Sequence, residues 1–302
     1  MKVGVQLPEV EREVRWPELL DMVRAIEDLG YDSVWVGEHL LYRWPDRAPR
    51  GPWEAWAILA AIAAVTTRIE LGPLVACTAF HNPAVLAKRA DTIDEISGGR
   101  LIFGLGAGWN ETEFRAFGIP FDNRISRFEE AFTIIRSLLR DGACDFEGTF
   151  YAARDCELLP RGPRPHGPPL MIGSTGERML RITAPHVDSW NAWYADTGNS
   201  PAGVAPLRDK VDAACEAAGR SPAEIERTVA VQVRLPGGTG RTMGDTSAAQ
   251  TVKPLAGRIE AMADELRAYA REGIGHVQLV LDPITRESIE RFAPVLDELA
   301  RT

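Results

Sequence analysis

Short apolar segments alternate with amphipathic stretches along almost the whole chain. Eight of these apolar segments have the length and the Val, Ile and Leu content of buried strands. The predicted strands are Val3–Leu7, Ser33–Gly37, Ile69–Val75, Leu101–Leu105, Leu170–Ile172, Val187–Trp190, Thr228–Val233 and His276–Leu281.

A stretch with helical spacing follows each predicted strand. Gly30 and the pair Gly98–Gly99 are typical of positions just after a helix, and Pro83 is typical of a first turn. The predicted helices are Trp16–Leu29, Trp53–Val65, Pro83–Ile96, Arg127–Leu139, Gly176–Thr183, Val204–Ala218, Leu255–Glu272 and Glu287–Leu299.

Eight alternating strand–helix pairs predict an α/β fold, a parallel sheet closed into a (β/α)8 TIM barrel. An open, doubly wound sheet is the alternative. No linker divides the sequence, so we expect a single domain over residues 1–302 with an insertion around residues 145–168, where Phe146–Tyr151 predicts a hairpin. The Gly-rich segment Pro236–Pro254 is long for a barrel loop, which is typical of a lid or of disorder.

Composition and charge exclude several classes of protein. The net charge of −9 argues against nucleic acid and anionic membranes as partners. The longest apolar run, Ala55–Val65, is too short to cross a bilayer, and the first residues do not resemble a signal peptide. The scattered cysteines lack metal-ligand spacing, so we expect free thiols, no metal and a cytoplasmic location.

In a barrel of this kind, the active site lies where the strands end. That rule selects candidate residues after five of the predicted strands, since polar, aromatic or glycine residues follow each of them. They are Glu38 and His39; Cys77; Gly106, Ala107, Gly108 and Trp109; Gly173, Ser174, Thr175, Gly176 and Glu177; and Trp190.

The segment Gly173–Glu177 leads directly into a predicted helix. The first turn of a helix presents unpaired N–H groups and attracts anions, so the hydroxyls of Ser174 and Thr175 indicate a phosphate site, with Arg178 adding charge. Simple capping of the helix by Ser174 or Thr175 is the alternative. The glycines at Gly104–Gly108 would let a planar ligand lie against the backbone, or would only form a tight strand exit.

His39 stands where a general acid or base would act, and several tryptophans indicate an aromatic rim suited to a flat ligand. Two other barrel chemistries are disfavoured. The chain has four lysines among 34 basic residues, and none lies at a predicted strand end, as a Schiff-base aldolase requires. The five histidines are spread singly, so no pair is spaced to bind a catalytic metal.

At these residues the sequence resembles the bacterial luciferase-like family of flavin- and deazaflavin-dependent oxidoreductases. The resemblance rests on residues 30–39 (GYDSVWVGEH), on the long stretch 71–121, on 127–139 and 146–151, and on 168–193. It is strongest to the branch that uses the deazaflavin coenzyme F420, and the Arg-rich, Lys-poor composition favours the GC-rich bacteria that make this coenzyme.

The resemblance implies a (β/α)8 barrel, a homodimer and a cofactor ring at the C-terminal mouth. It implies that His39 lies near the reactive ring, that Gly173–Glu177 binds the cofactor phosphate, and that the ring rests on a strand-3 bulge with a cis bond at Leu74–Val75. Where sugar-phosphate dehydrogenases of the family carry a catalytic glutamate, this chain has Trp109, which argues against glucose-6-phosphate as the substrate.

The first functional hypothesis is therefore F420-dependent hydride transfer to or from a small organic substrate, with His39 moving the proton and Glu38 beside it. An FMN-dependent two-component monooxygenase, supplied by a partner flavin reductase, is the alternative. Two weaker hypotheses remain: a non-catalytic flavin-binding barrel, and a phosphosugar isomerase that uses Glu38 as its base.

Overall fold

A parallel barrel surrounded by helices forms the body of the molecule. The computed structural model describes residues 1–241 and 252–301. In those residues the strands are β1 (Lys2–Gln6), β2 (Ser33–Val36), β3 (Glu70–Pro73), β4 (Ala76–Cys77), β5 (Phe103–Gly106), β6 (Ala143–Glu147), β7 (Ala152–Glu157), β8 (Leu170–Gly173), β9 (Ser189–Ala192), β10 (Glu226–Arg234) and β11 (Ile274–Asp282).

Helices cover the outside of the barrel. In the described part of the chain they are α1 (Trp16–Asp28), α2 (Ala55–Val65), α3 (Pro83–Ser97), α4 (Glu111–Ala116), α5 (Arg124–Asp141), α6 (Glu177–Thr183), α7 (Ala205–Ala217), α8 (Ile259–Arg271) and α9 (Arg286–Leu299). The short helix α4 was not predicted, because two turns are too few to show a helical period. The predicted start of α8 at Leu255 was wrong, because Leu255 forms a parallel bridge with Val233.

The third strand of the barrel is split into β3 and β4, and each half pairs with a different neighbouring strand. The strand order is β3-β2-β1-β11-β10-β9-β8-β5-β4, in which β3 pairs with β2 and β4 pairs with β5. A parallel bridge between Leu71 in β3 and Leu101, two residues before β5, joins β3 to the other side of the sheet. The first and last strands, β1 and β11, also pair. The predicted barrel is confirmed, and the open sheet is excluded.

The predicted insertion is an antiparallel hairpin of β6 and β7 that follows α5. The prediction of a hairpin there is confirmed. Gly98 ends α3 in the left-handed conformation, as the sequence predicted. Most of the predicted loop Pro236–Pro254 lies outside the described residues, which resume at residue 252.

Val75, between β3 and β4, fills the top of the barrel interior. The peptide bond before it is cis, as expected from the family resemblance. A Cβ atom on Gly106 would lie 2.8 Å from Cγ2 of Val75, and one on Gly173 would lie 2.9 Å from Cγ1. These separations are shorter than a normal contact, so the two glycines make room for the valine.

The lower interior of the barrel is polar and centres on His276. The indole N–H of Trp35 donates to Oγ of Ser33 at 2.7 Å, and that hydroxyl lies 2.7 Å from Nε2 of His276. Burial, together with Lys2 and the amino terminus, lowers the pKa of His276 to about 3. The imidazole is therefore neutral at physiological pH and accepts the Ser33 hydroxyl.

Replacing Gly106 by Ala should reduce the free energy of unfolding by about 1–3 kcal/mol, because the new methyl group overpacks Val75. Adding Val75→Ala should recover part of this loss, so a double-mutant cycle measured by urea unfolding should show coupling. Gly176→Ala is the matched control, since its Cβ would meet nothing nearer than 3.8 Å. Additive effects of Gly106→Ala and Val75→Ala would contradict the packing described here.

The free energy of unfolding should fall as the pH drops from 6.5 towards 3, because the unfolded chain protonates His276 and the folded chain does not. The slope contributed by this group is up to about 1.4 kcal/mol per pH unit. His276→Gln should remove that contribution in urea unfolding at pH 7.5, 6 and 5, whereas His166→Gln, at an exposed site, should not. An unchanged slope in His276→Gln would show that other groups cause the pH dependence.

Candidate active site

A cavity of about 870 Å³ opens at the C-terminal ends of the barrel strands. Its walls come from the segments that follow β1, β2, β5, β8, β9 and β10, and from the split third strand. This is the position at which barrels of this kind carry their active sites.

The structure brings most of the predicted site residues to this cavity. Those that line it are Glu38, His39, Leu74, Val75, Cys77, Gly106, Ala107, Gly108, Trp109, Gly173 and Ser174. The remaining candidates, Thr175, Gly176, Glu177 and Trp190, are not among its lining residues.

The position of Trp190 follows from the alternation of side chains along β9. Trp190 is 1% exposed and belongs to the large core cluster, while its neighbour Asn191 lines the cavity. The indole N–H of Trp190 donates to the carbonyl oxygen of Ser174 at 2.7 Å. Trp190 therefore supports the Ser174 segment from behind.

His39 is held by a buried carboxylate that sequence reasoning missed. Nδ1 of His39 lies 3.0 Å from Oε1 of Glu113, whose side chain is 1% exposed. The other oxygen of Glu113 accepts the backbone N–H groups of Leu40 at 2.8 Å and Leu41 at 3.4 Å. Asn110, one turn earlier, donates its amide N–H to the carbonyl of Leu41. Helix α4 thus fixes the backbone beyond β2 and orients the His39 ring.

This contact selects one tautomer of His39. When Nδ1–H donates to Glu113, the neutral ring keeps Nε2 as a proton acceptor, and His39 lines the cavity with 14% of its side chain exposed. Trp109, whose ring centre lies 5.7 Å away, stands at the rim and is 42% exposed. In the sequence, only the i, i+3 spacing of Asn110 and Glu113 indicates that these two residues lie on the same side of a helix.

Glu38 lies next to His39 but has different partners. Its carboxylate accepts the indole N–H of Trp56 at 2.8 Å, the backbone N–H of Cys77 at 2.7 Å and Nε2–H of His81 at 2.7 Å. Arg89 stands 3.0 Å from the other ring nitrogen of His81 and can donate to it. Glu38 thereby ties the end of β2 to α2 and to β4.

Cys77 is a packed thiol. Burial, followed by the nearby Glu38 carboxylate, raises the pKa of the Cys77 thiol well above its ordinary value. It therefore stays protonated and is not a nucleophile at neutral pH.

The predicted phosphate segment starts a short helix without a side-chain cap. Gly176 is the N-cap of α6, so the alternative of capping by Ser174 or Thr175 was wrong. Oγ of Ser174 accepts the N–H of Gly176 at 3.3 Å. Arg178 is bound to Ser126 and Glu129, each at 3.0 Å, whereas Arg124 lines the cavity and donates to the carbonyl of Gly108. The cation beside the glycine wall is therefore Arg124.

Asn191, at the end of a predicted strand, and Trp193, in the predicted aromatic rim, also line the cavity. Four further lining residues were not selected from the sequence: Glu9, Tyr194, Asp196 and Arg241. Glu9 and Arg241 form an ion pair of 2.6 Å with side-chain exposures of 3% and 2%. These residues are 232 positions apart, so no local pattern connects them.

Within residues 1–241 and 252–301, no three His, Cys, Asp or Glu side chains are grouped so that they could hold a metal ion. In the same residues, no helix combines the length and the hydropathy needed to cross a bilayer.

Comparisons with known proteins agree with this architecture. The family model described as "Luciferase-like monooxygenase" matches residues 1–236. The chain is 30% identical over 221 residues to 5,10-methylenetetrahydromethanopterin reductase of Archaeoglobus fulgidus. This match covers 73% of this chain and 60% of that protein. It is 34% identical over 172 residues to pyrimidine monooxygenase RutA of Cronobacter sakazakii, with 55% and 50% covered.

Among solved structures, the chain resembles an F420-dependent secondary alcohol dehydrogenase in complex with an F420-acetone adduct. The TM-score is 0.83 at 20% identity, with 99% of this chain and 98% of that chain covered. This likeness concerns the fold. Since the family model matches well over half of the sequence, the chain belongs to the luciferase-like monooxygenase family.

Proposed function

We propose that this protein is an oxidoreductase that binds coenzyme F420 in the cavity and transfers a hydride to or from a small organic substrate. The observation that carries the proposal is the His39–Glu113 pair on the wall of a cavity of about 870 Å³ at the strand ends. Two of the compared proteins are named as redox enzymes. One is the methanopterin reductase, and the other is the F420-dependent secondary alcohol dehydrogenase.

The cavity fits a planar cofactor on one side. Gly106 and Gly173 present backbone instead of side chains, and Val75 closes the wall between them, so a flat surface remains. Leu74, Val75, Cys77 and the segment Gly106–Trp109 would hold the ring. Gly173 and Ser174, the part of the predicted phosphate segment that lines the cavity, would hold the phosphate, with Arg124 as a cation in the same cavity.

When bound, the deazaflavin supplies or accepts the hydride. The conversion between a carbonyl compound and an alcohol also moves one proton, and His39 would hold it at Nε2. Glu113 keeps the proton of the neutral ring on Nδ1 and faces the positive charge when Nε2 is protonated. Glu38, which already accepts three hydrogen bonds, positions Cys77 and the third strand instead of reacting.

An FMN-dependent monooxygenase is the second candidate, favoured by the similarity to pyrimidine monooxygenase RutA. That activity would require a flavin reductase as partner. A homodimer and a cytoplasmic location remain predictions from the sequence and its family resemblance.

A paired titration of the purified protein with F420 and with FMN, followed by tryptophan fluorescence, tests the cofactor. We expect F420 to bind at least ten-fold more tightly, a difference of about 1.4 kcal/mol. Tighter binding of FMN would favour the monooxygenase. Binding of neither would overturn the cofactor assignment.

Replacing His39 by Gln should lower kcat/KM by about 10²–10⁴-fold with the best ketone or alcohol from a substrate screen, while the Kd for F420 stays within two-fold. Glu113→Gln should also lower kcat at least ten-fold and change the pH–rate profile, because the amide no longer carries the charge that favours a protonated ring. Glu111→Gln, on the exposed face of the same helix, is the matched control. Unchanged turnover in His39→Gln would contradict the catalytic role of His39, whereas F420 binding without turnover of any substrate in the unsubstituted protein would support a non-catalytic binding barrel.

A further inference from the structure

Two of the four cysteines of the chain face each other across the hairpin insertion. The strands β6 and β7 are antiparallel, and their register places Cys144 directly opposite Cys156. The neighbouring pair, Ala143 and Glu157, has the same register, and the register shifts on the other side, between Cys144 and Phe146. The regular end of the hairpin therefore fixes Cys144 against Cys156.

The geometry of this pair suits a disulfide bond. Residues directly opposite in an antiparallel pair have side chains on the same face of the sheet and Cα atoms about 4.5–5.5 Å apart. A disulfide spans Cα separations of about 4.4–6.8 Å. Both Cys144 and Cys156 are free thiols in the structure, so the hairpin holds two reduced sulfurs in a position to be joined without a large movement of the backbone.

The two thiols differ in their access to solvent. Cys144 is 7% exposed and belongs to the main hydrophobic core, whereas Cys156 is partly buried and packs against that core. Burial, followed by the neighbouring Cys156 and Asp145, raises the pKa of the Cys144 thiol. Cys144 therefore keeps its proton at neutral pH, and Cys156 is the thiol that a reagent from solvent meets first.

We propose that Cys144 and Cys156 form a dithiol site that hydroperoxides oxidise reversibly to an intramolecular disulfide. In the first step, the sulfur of Cys156 attacks one peroxide oxygen, the O–O bond breaks, and the thiol proton leaves with the other oxygen as an alcohol or, from hydrogen peroxide, as water. Cys156 is then a sulfenic acid. In the second step, the sulfur of Cys144 attacks the sulfur of Cys156, the S–O bond breaks, and the hydroxyl leaves as water with the Cys144 proton. The two thiols lose two electrons, which reduce one peroxide.

The disulfide would close the hairpin at its open end, because the tip is already held on α5. The carboxylate of Glu130 accepts the backbone N–H groups of Thr149 and Phe150 at 2.8 Å and that of Tyr151 at 3.0 Å. The guanidinium carbon of Arg127 lies 4.4 Å from the centre of the Phe150 ring. A cross-link also removes conformations from the unfolded chain, so oxidation should stabilise the folded protein.

The site is separate from the cavity. Among the described residues that line the cavity, none belongs to β6 or β7. The inference therefore goes beyond the proposed function and does not depend on the cofactor.

Labelling of the full chain tests the inference. The reduced protein is treated with hydrogen peroxide, denatured and alkylated with iodoacetamide. We expect two labels in place of the four on the reduced chain, in the monomer band of a non-reducing gel, and four again after dithiothreitol. Trypsin cleaves after Arg140, Arg154 and Arg161, so a mass spectrum should show residues 141–154 joined to residues 155–161. Four labels after peroxide, a link between other cysteines, or oxidation without a link would overturn the inference.

Three variants assign the order of the two steps. Cys144→Ser should leave Cys156 as a sulfenic acid that dimedone traps, whereas Cys156→Ser should give no dimedone adduct on Cys144. Cys215→Ala is the matched control, because it removes a buried thiol from α7 and should leave the cross-link intact. A dimedone adduct on Cys144 in Cys156→Ser would overturn the assignment of Cys156 as the first nucleophile.

Thermal unfolding measures what the cross-link does. Oxidation should raise the Tm of the unsubstituted protein by at least about 3 °C, and the same treatment should not raise the Tm of Cys156→Ser. An unchanged or lower Tm would contradict the stabilising role, and a change of more than two-fold in the Kd for F420 would contradict the separation from the cavity. If the reduced protein does not bind F420, the proposed function fails, while the labelling result still decides this inference.

Discussion

The side chain of Val75 lies at the top of the barrel interior, where the next two strands of the sheet, β5 and β8, carry glycine instead of a larger residue. Glycine stands at 106 and 173, where a Cβ would lie less than 3 Å from the valine methyl groups. A Cβ on Gly104 would also lie 2.2 Å from the carbonyl oxygen of Pro73. Interiors are close packed, so these positions form one packing unit. The same glycines that admit Val75 leave a flat wall on the cavity above it.

Buried contacts between a carboxylate and a histidine fix the loops that follow the barrel strands. Glu38 connects the end of β2 to the third strand, while Glu113 connects the next residues to the segment after β5. Both carboxylates are nearly inaccessible, with exposures of 5% and 1%, and such groups are stable only when their oxygens are hydrogen-bonded. Glu38 and His39 are adjacent in the sequence but have different partners. Glu38 contacts His81, and His39 contacts Glu113.

The alternation of apolar and helical segments was enough to predict the barrel, its hairpin insertion and several helix ends, because these follow from local periodicity and from glycine and proline chemistry. The split of the third strand and the partner of His39 could not be predicted in this way. His39 and Glu113 are 74 residues apart, and their contact exists only once the barrel has closed. Trp190 was selected only because it lies at the end of a predicted strand. Side chains alternate along β9, so Trp190 packs in the core and Asn191 faces the cavity.

Arg241 shows how one buried side chain can join two loops that lie far apart in the sequence. It connects the segment after β10 to Glu9 and Glu11 after β1, which closes the wall of the cavity between strands that are distant in sequence. A lysine carries a point charge, but the planar guanidinium reaches two carboxylates through two different nitrogens, Nη2 towards Glu9 and Nε towards Glu11. Because these two contacts fix the plane of the guanidinium, they also fix how the two loops meet at the wall of the cavity.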